Sequence, residues 1–261
     1  MKLLWLIALL FTTNAFALTN EELQRVRFEQ HLGQTISRNL LFHDSTSREV
    51  KMADLFDGHR PVIIVLGYFR CPMLCTLVND GLIKSLQELK PSVGRDFNVV
   101  DVSIDPRETP ALAATRKAEY LKQYGRAGAS DGWHFLVGDK AAVDEVANDC
   151  GFRYAYDVES GEYAHPSGLV ILTPDGRISR YLLGVNFDAA ELLAALDVAR
   201  RGESGSITHQ LALLCFHYNP ITGKYSLAIL KTLRVASAIM LIAGGVVIVR
   251  LSRRKPSRAH A

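Results

Sequence analysis

The chain has 261 residues, 48% of them hydrophobic, which is ample for one sizeable core and excludes a disordered chain. The net charge is +3, but Lys2 and five cations between Arg250 and Arg258 carry more than that excess. The remaining 24 basic and 27 acidic residues balance at −3, so no basic stripe points to a nucleic-acid partner. Four cysteines are too few for a scaffold built on disulfides.

The first 17 residues read as a secretory signal peptide, with Lys2, an apolar run over Leu3–Leu10 and the small-x-small end Ala15-Phe16-Ala17. Residues 18–36 are a polar lead-in, and a globular domain is expected over 37–201, with Asn39–His43 as a short strand. Pro61–Tyr68 is a nearly continuous apolar run, as in a strand covered on both faces. Apolar residues at 74, 77, 78, 82, 86 and 89 then predict a helix over Leu74–Leu89. Phe97–Ile104 is a second buried strand, and Thr109-Pro110 opens a helix that runs to Tyr124. Trp133–Val137 is a short strand. Asp139–Cys150 is a helix that Gly151 would stop. Gly168–Thr173, the turn Pro174-Asp175-Gly176 and Ile178–Val185 form a hairpin, and Asp188–Arg200 is the last helix. The order predicts an α/β sandwich around a mixed sheet.

Residues 202–226 are a connector. Leu227–Val249 is apolar or small apart from Thr232 and from Lys231 and Arg234, which can reach toward headgroups, and as a helix it would extend about 34 Å. The basic, acid-free tail over 250–261 follows at once. By the positive-inside rule this predicts a single-pass helix in the inner (cytoplasmic) membrane, with the tail in the cytoplasm and the domain on the periplasmic, extracytoplasmic side.

The chemistry centres on Cys71-Pro72-Met73-Leu74-Cys75, where the first buried strand gives way to a helix. A thiol in a first helical turn faces unpaired N–H groups and the positive end of the helix dipole, which favour its thiolate. Cysteines four apart share one helix face, so the pair can close as a disulfide or grip one ion. Two thiolates suit Cu(I), with Zn(II) as a competitor. For a third ligand, His165 lies just before the strand Gly168–Thr173. In a thioredoxin-like sheet the loop entering that strand faces the first cysteine helix, which selects His165 over His31, His43, His59, His134, His209 and His217. Cys150 reads as a small buried hydrophobe, and Asp101 and Asp105 as strand-end capping groups. Cys215-Phe216-His217-Tyr218 carries two readings, a secondary metal pair at Cys215 and His217 or an aromatic segment at the membrane surface.

Three segments in this order resemble the Sco/SenC family of copper chaperones in cytochrome oxidase assembly. They are Tyr68–Cys75, Val102–Pro110 with its Ser-Ile-Asp-Pro core, and Ala164–Ile178. The resemblance spans about residues 37–200. It implies a thioredoxin-like fold and a copper site, Cu(I) or Cu(II), built from Cys71, Cys75 and His165. It also implies a partner, the oxidase subunit that carries a copper site. The alternative within the family is redox work, with Cys71 and Cys75 as the catalytic pair of a thiol–disulfide oxidoreductase reducing a partner's disulfide. A thiol peroxidase would want Thr where Tyr68 stands. The chain departs from the family at Ala164, where Asp usually precedes the histidine, so that carboxylate is not there to orient the ring. It departs again in its expected C-terminal anchor, since many members are anchored at the N-terminus.

Overall fold

The strand that leads to the cysteines is apolar at every position because both of its faces are covered. A computed structural model describes residues 26–71, 74–158 and 161–204, with 218–219, 224–225 and 237. The chain divides into two units, Met1–Gly205 and Ser206–Ala261. In the first, β1 (Arg27–Phe28), β2 (Leu41–Asp44), β3 (Glu49–Lys51) and a 3₁₀ turn (Met52–Leu55) precede β4 (Val62–Gly67). Then come α1 (Leu74–Glu88), β5 (Asn98–Ser103), α2 (Pro110–Tyr124), β6 (Trp133–Val137) and α3 (Lys140–Asp149). After α3 come the short strands β7 (Phe152–Arg153), β8 (Ala155–Asp157) and β9 (Glu162–Ala164). The hairpin of β10 (Gly168–Leu172) and β11 (Ile178–Leu183) leads to α4 (Ala189–Arg200).

The main sheet has seven strands in the order β11-β10-β4-β5-β6-β2-β3. Its centre, β4-β5-β6, is parallel, and the strands outside it pair antiparallel. Two crossovers, through α1 and α2, give the parallel centre. Val62, Ile64 and Leu66 point into a core shared with α3, and Ile63 and Val65 into one shared with α1, α2 and α4. That double cover is why polar residues do not alternate along β4. The helices start where the sequence predicts: Thr109, Asp139 and Asp188 are N-caps whose side chains accept Leu112, Ala142 and Glu191 N–H. Gly125 closes α2 at φ 72°.

Within the segment read as a lead-in, Arg27 and Phe28 pair with Arg153 and Phe152, and Thr35 bridges Arg177. In the second unit, Tyr218–Asn219 (β12) pairs antiparallel with Lys224–Tyr225 (β13). The expected signal peptide, the membrane helix apart from Ser237, the basic tail and the Cys215–His217 pair lie outside the described residues. Among the described residues no helix is long and apolar enough to cross a membrane.

Candidate metal centre

Cys71 and Cys75 stand at the carboxyl end of the central strand β4, where a parallel α/β sheet ordinarily opens its site. The backbone turns at once after the strand, and Cys71 N–H donates to Tyr68 O at 3.1 Å. Cys75 falls in the first turn of α1. Its sulfur accepts Tyr68 N–H at 3.3 Å, while the Cys71 sulfur accepts Cys75 N–H at 3.4 Å. The Cys71 sulfur thus takes up a backbone donor that the helix start leaves unpaired, and the Cys75 sulfur one from the turn that follows β4. Both cysteines are buried, and they are not joined as a disulfide.

Gly67 makes this approach feasible: a Cβ there would lie 2.9 Å from Cys75 Sγ. A second device holds the turn from below. The buried Glu108 carboxylate accepts Phe69 N–H at 2.7 Å, Arg70 N–H at 2.7 Å and the Ser103 hydroxyl at 2.6 Å. Arg116 Nε donates to Phe69 O at 2.7 Å.

His165 enters from the loop before β10, as the sequence predicts, and its Nε2 lies 3.1 Å from Cys75 Sγ. Its Nδ1 lies 2.8 Å from Pro166 O. A carbonyl can only accept, so Nδ1 is the donor there, and Nε2 is the nitrogen turned to the sulfurs. The ring-orienting partner missing at Ala164 is thus supplied by the backbone one residue beyond the histidine. Donor atoms of Cys71, Cys75 and His165 all lie within 4.8 Å of one another. A thiol pair with an imidazole, buried and already converged, fits a soft ion such as Cu(I), with Zn(II) as the competitor.

The charges are graded. The Cys75 thiol is pushed well above the usual cysteine range, first by its hydrogen bond to the Cys71 sulfur and then by burial. A second negative charge beside Cys71 is resisted until something positive arrives. Burial, with the Cys71 sulfur nearby, also pushes the Tyr68 phenol up.

The sequence profile of the SCO1/SenC family matches residues 28–199. The chain belongs to the SCO1/SenC family. No curated protein sequence matches it. Among solved structures it is similar to a protein of Aquifex aeolicus VF5, at 26% identity over 66% of this chain and 95% of that one, with a TM-score of 0.57. A SCO1/SenC family lipoprotein of Bacillus anthracis str. Ames follows at 14% identity, 66% and 96% coverage and a TM-score of 0.51. BsSco, described as a member of the Sco family of cytochrome c oxidase assembly proteins in which a disulfide switch is identified, has 18% identity, 67% and 98% coverage and a TM-score of 0.51. The mixed sheet flanked by helices is the thioredoxin-like fold of Sco proteins.

Other residues singled out from sequence fall away from this Sco-type centre. Cys150 is fully buried among α3, Phe152 and Tyr181, and burial pushes its thiol up. Asp105 does cap its own turn, and it holds Arg107 at 2.7 and 2.9 Å. Asp101 does not cap a strand end: it sits within β5, buried, accepting Trp133 Nε1–H at 2.7 Å. Sequence reasoning missed Glu108, Gly67 and the aromatic ring of Tyr68, Phe152, Tyr154 and Tyr163 around His165. For Glu108 the one available signal was an acid in the segment that follows the second buried strand.

Proposed function

We propose that this is a copper-holding Sco protein of a cytochrome oxidase assembly apparatus, anchored to the membrane and facing away from the cytoplasm. The observation that carries the copper reading is the convergence of two sulfurs and one imidazole nitrogen within 4.8 Å. When bound, the ion supplies the positive charge that lets both thiols ionise side by side. The chain's own residues do the rest: Cys71 and Cys75 grip, His165 completes the donor set, and Glu108 holds the turn. Delivery to an oxidase subunit is supported by family membership and by the description of BsSco. The reduced protein is expected to bind one Cu(I), with Cys71→Ser and Cys75→Ser each abolishing tight binding in a competitive titration. Wild-type affinity in either variant would move the site elsewhere.

The anchor is supported by the apolar run over 227–249 and the cationic residues that follow. A reporter active only in the cytoplasm should work when fused after Ala261 and stay silent when fused at Gly202.

A second reading, thiol–disulfide exchange through Cys71 and Cys75, is favoured by two adjacent thiols not joined as a disulfide, with Cys75 held protonated by the Cys71 sulfur and by burial. The readings separate at His165, which a dithiol reductase does not need. Near-wild-type reduction of a disulfide by copper-free His165→Ala would favour the enzyme.

A further inference from the structure

His165 reaches the sulfurs from a loop, and its hydrogen bond to Pro166 O fixes the ring only against its own neighbour. Its place relative to Cys71 and Cys75 must come from other contacts. Phe152 stacks on the imidazole with centroids 5.7 Å apart and planes at 29°, and Tyr68 meets it edge-on at 5.9 Å. Phe152 belongs to a strand of only two residues, too short to hold itself. Its partner is β1, with Phe28 opposite Phe152 in register. The Phe28 ring packs edge-on to Phe152 at 5.2 Å and to Tyr181 at 5.6 Å.

The arm is seated by design of the backbone around it. Glu29 N–H donates to Gly151 O at 2.7 Å, and Arg153 Nε pairs with Glu29 at 2.8 Å. A Cβ on Gly151 would fall 1.7 Å from Glu29 O, so only glycine admits the arm there. A Cβ on Gly168 would fall 3.2 Å from Phe28 Cε2, which puts the arm against the first residue of β10, just after the histidine loop.

We propose that Phe152, backed by Phe28 of the N-terminal arm, is the positioning residue that sets the His165 imidazole against the two sulfurs. The inference rests on the metal-centre reading above and extends it to residues that touch no ligand atom. Aromatic pairs of this kind add orientation beyond simple burial. Partners that orient a ligating histidine typically govern metal affinity by roughly ten- to a hundredfold. The effect should fall on Cu(II), which leans on the imidazole, more than on Cu(I), which the thiolates satisfy.

The test uses the full chain in detergent, with Phe28→Ala, Phe152→Leu and, as rescue, Phe152→Tyr. The first readout is metal-free: the His165 ring-proton resonances, shifted in the wild type by the Phe152 and Tyr68 rings. The second is imidazole nitrogen coupling in the paramagnetic spectrum of the Cu(II) form. In Phe28→Ala and Phe152→Leu the ring resonances should move toward solution values. The nitrogen coupling should weaken, Cu(II) affinity should drop about tenfold, and Cu(I) affinity should hold within about threefold. Phe152→Tyr should restore all of these. If Phe28→Ala disturbs the amide spectrum generally, Phe28→Leu, which keeps the bulk without the ring, takes its place. Unchanged His165 resonances and nitrogen coupling in the Phe28 and Phe152 variants would overturn the inference alone. A wild type without imidazole coupling would instead overturn the His165 ligation on which it depends.

Discussion

Replacing Asp101 with Asn should stabilise the domain, and the gain should grow with pH in a defined way. Burial, the largest effect, pushes the Asp101 carboxyl up from 3.8 to about 7 against the hydrogen bonds from Trp133 and Asn79. Between those two values the folded chain keeps a proton that the unfolded chain has released. A raised acid of this kind contributes most below pH 3.8, and that contribution is lost as pH rises to 7. The loss is about 1.4 kcal/mol per pH unit, or about 4 kcal/mol across the window. Asn can accept Trp133 Nε1–H as Asp101 does and can offer an N–H to Asn79 Oδ1, which has no hydrogen-bond partner among the described residues. The wild-type profile alone will hide the effect. Burial, helped by the Lys117 charge, pushes His134 down from 6.5 to about 4, so its contribution rises with pH over nearly the same range. The difference between the two proteins cancels His134. Copper-free, reduced protein of residues 26–204 should be unfolded in urea at half-unit steps from pH 5 to 8. Asp44 and Asp57, held near 2 when folded, are ionised in both states throughout that range. The stability difference should widen with pH up to 7 and level off above it. A difference that is constant across the series would refute the buried, protonated Asp101.

The remaining predictions test the centre itself. In the reduced protein Cys71 should alkylate before Cys75 at neutral pH, because Cys75 is held protonated by Cys71 and by burial; mass spectrometry of partly modified protein reads the order. Gly67→Ala should push Cys75 Sγ from its seat, with a cost of about 1–3 kcal/mol in denaturant and weaker Cu(I) binding in competition assays. Glu108→Gln turns one acceptor oxygen into a donor facing backbone N–H groups; about 2–3 kcal/mol of stability should be lost, and both cysteines should alkylate faster.

Elements whose periodicity reflects two-sided or one-sided burial were legible in the chain. The apolar runs of β4 and β5, the spacing of α1 and the Thr109, Asp139 and Asp188 caps all stand within a few residues of their predicted places. So was the grouping of Cys71, Cys75 and His165, since the cysteines mark themselves by spacing and His165 by its position before β10. Pairings of two or three residues were not. β1 with β7 and β8 with β9 are too short to show a period, and their partners are fixed only once the sheet exists. Glu108 looks like any loop acid, because what distinguishes it is a cluster of N–H groups that chain folding brings to it. Asp101 misled for a related reason: a carboxylate inside an apolar strand reads as an edge unless Trp133 and Asn79 are known to face it.

Four stretches of chain meet at the centre, and each is held by contacts that need no metal. The end of β4 is fixed through Tyr68 N–H, the start of α1 through Cys75 N–H, the intervening turn through Glu108, and the histidine ring through Phe152 and Tyr68. Donors assembled in advance spare an arriving ion the cost of ordering them, which favours tight capture. The Cys75 thiol works in the opposite sense. Because it stays protonated without an ion, every binding event must expel a proton and every release takes one back. A rigid donor set with one reluctant thiolate is therefore a compromise between holding and giving up. That balance suits the proposed cargo role, in which the ion must be released as well as held.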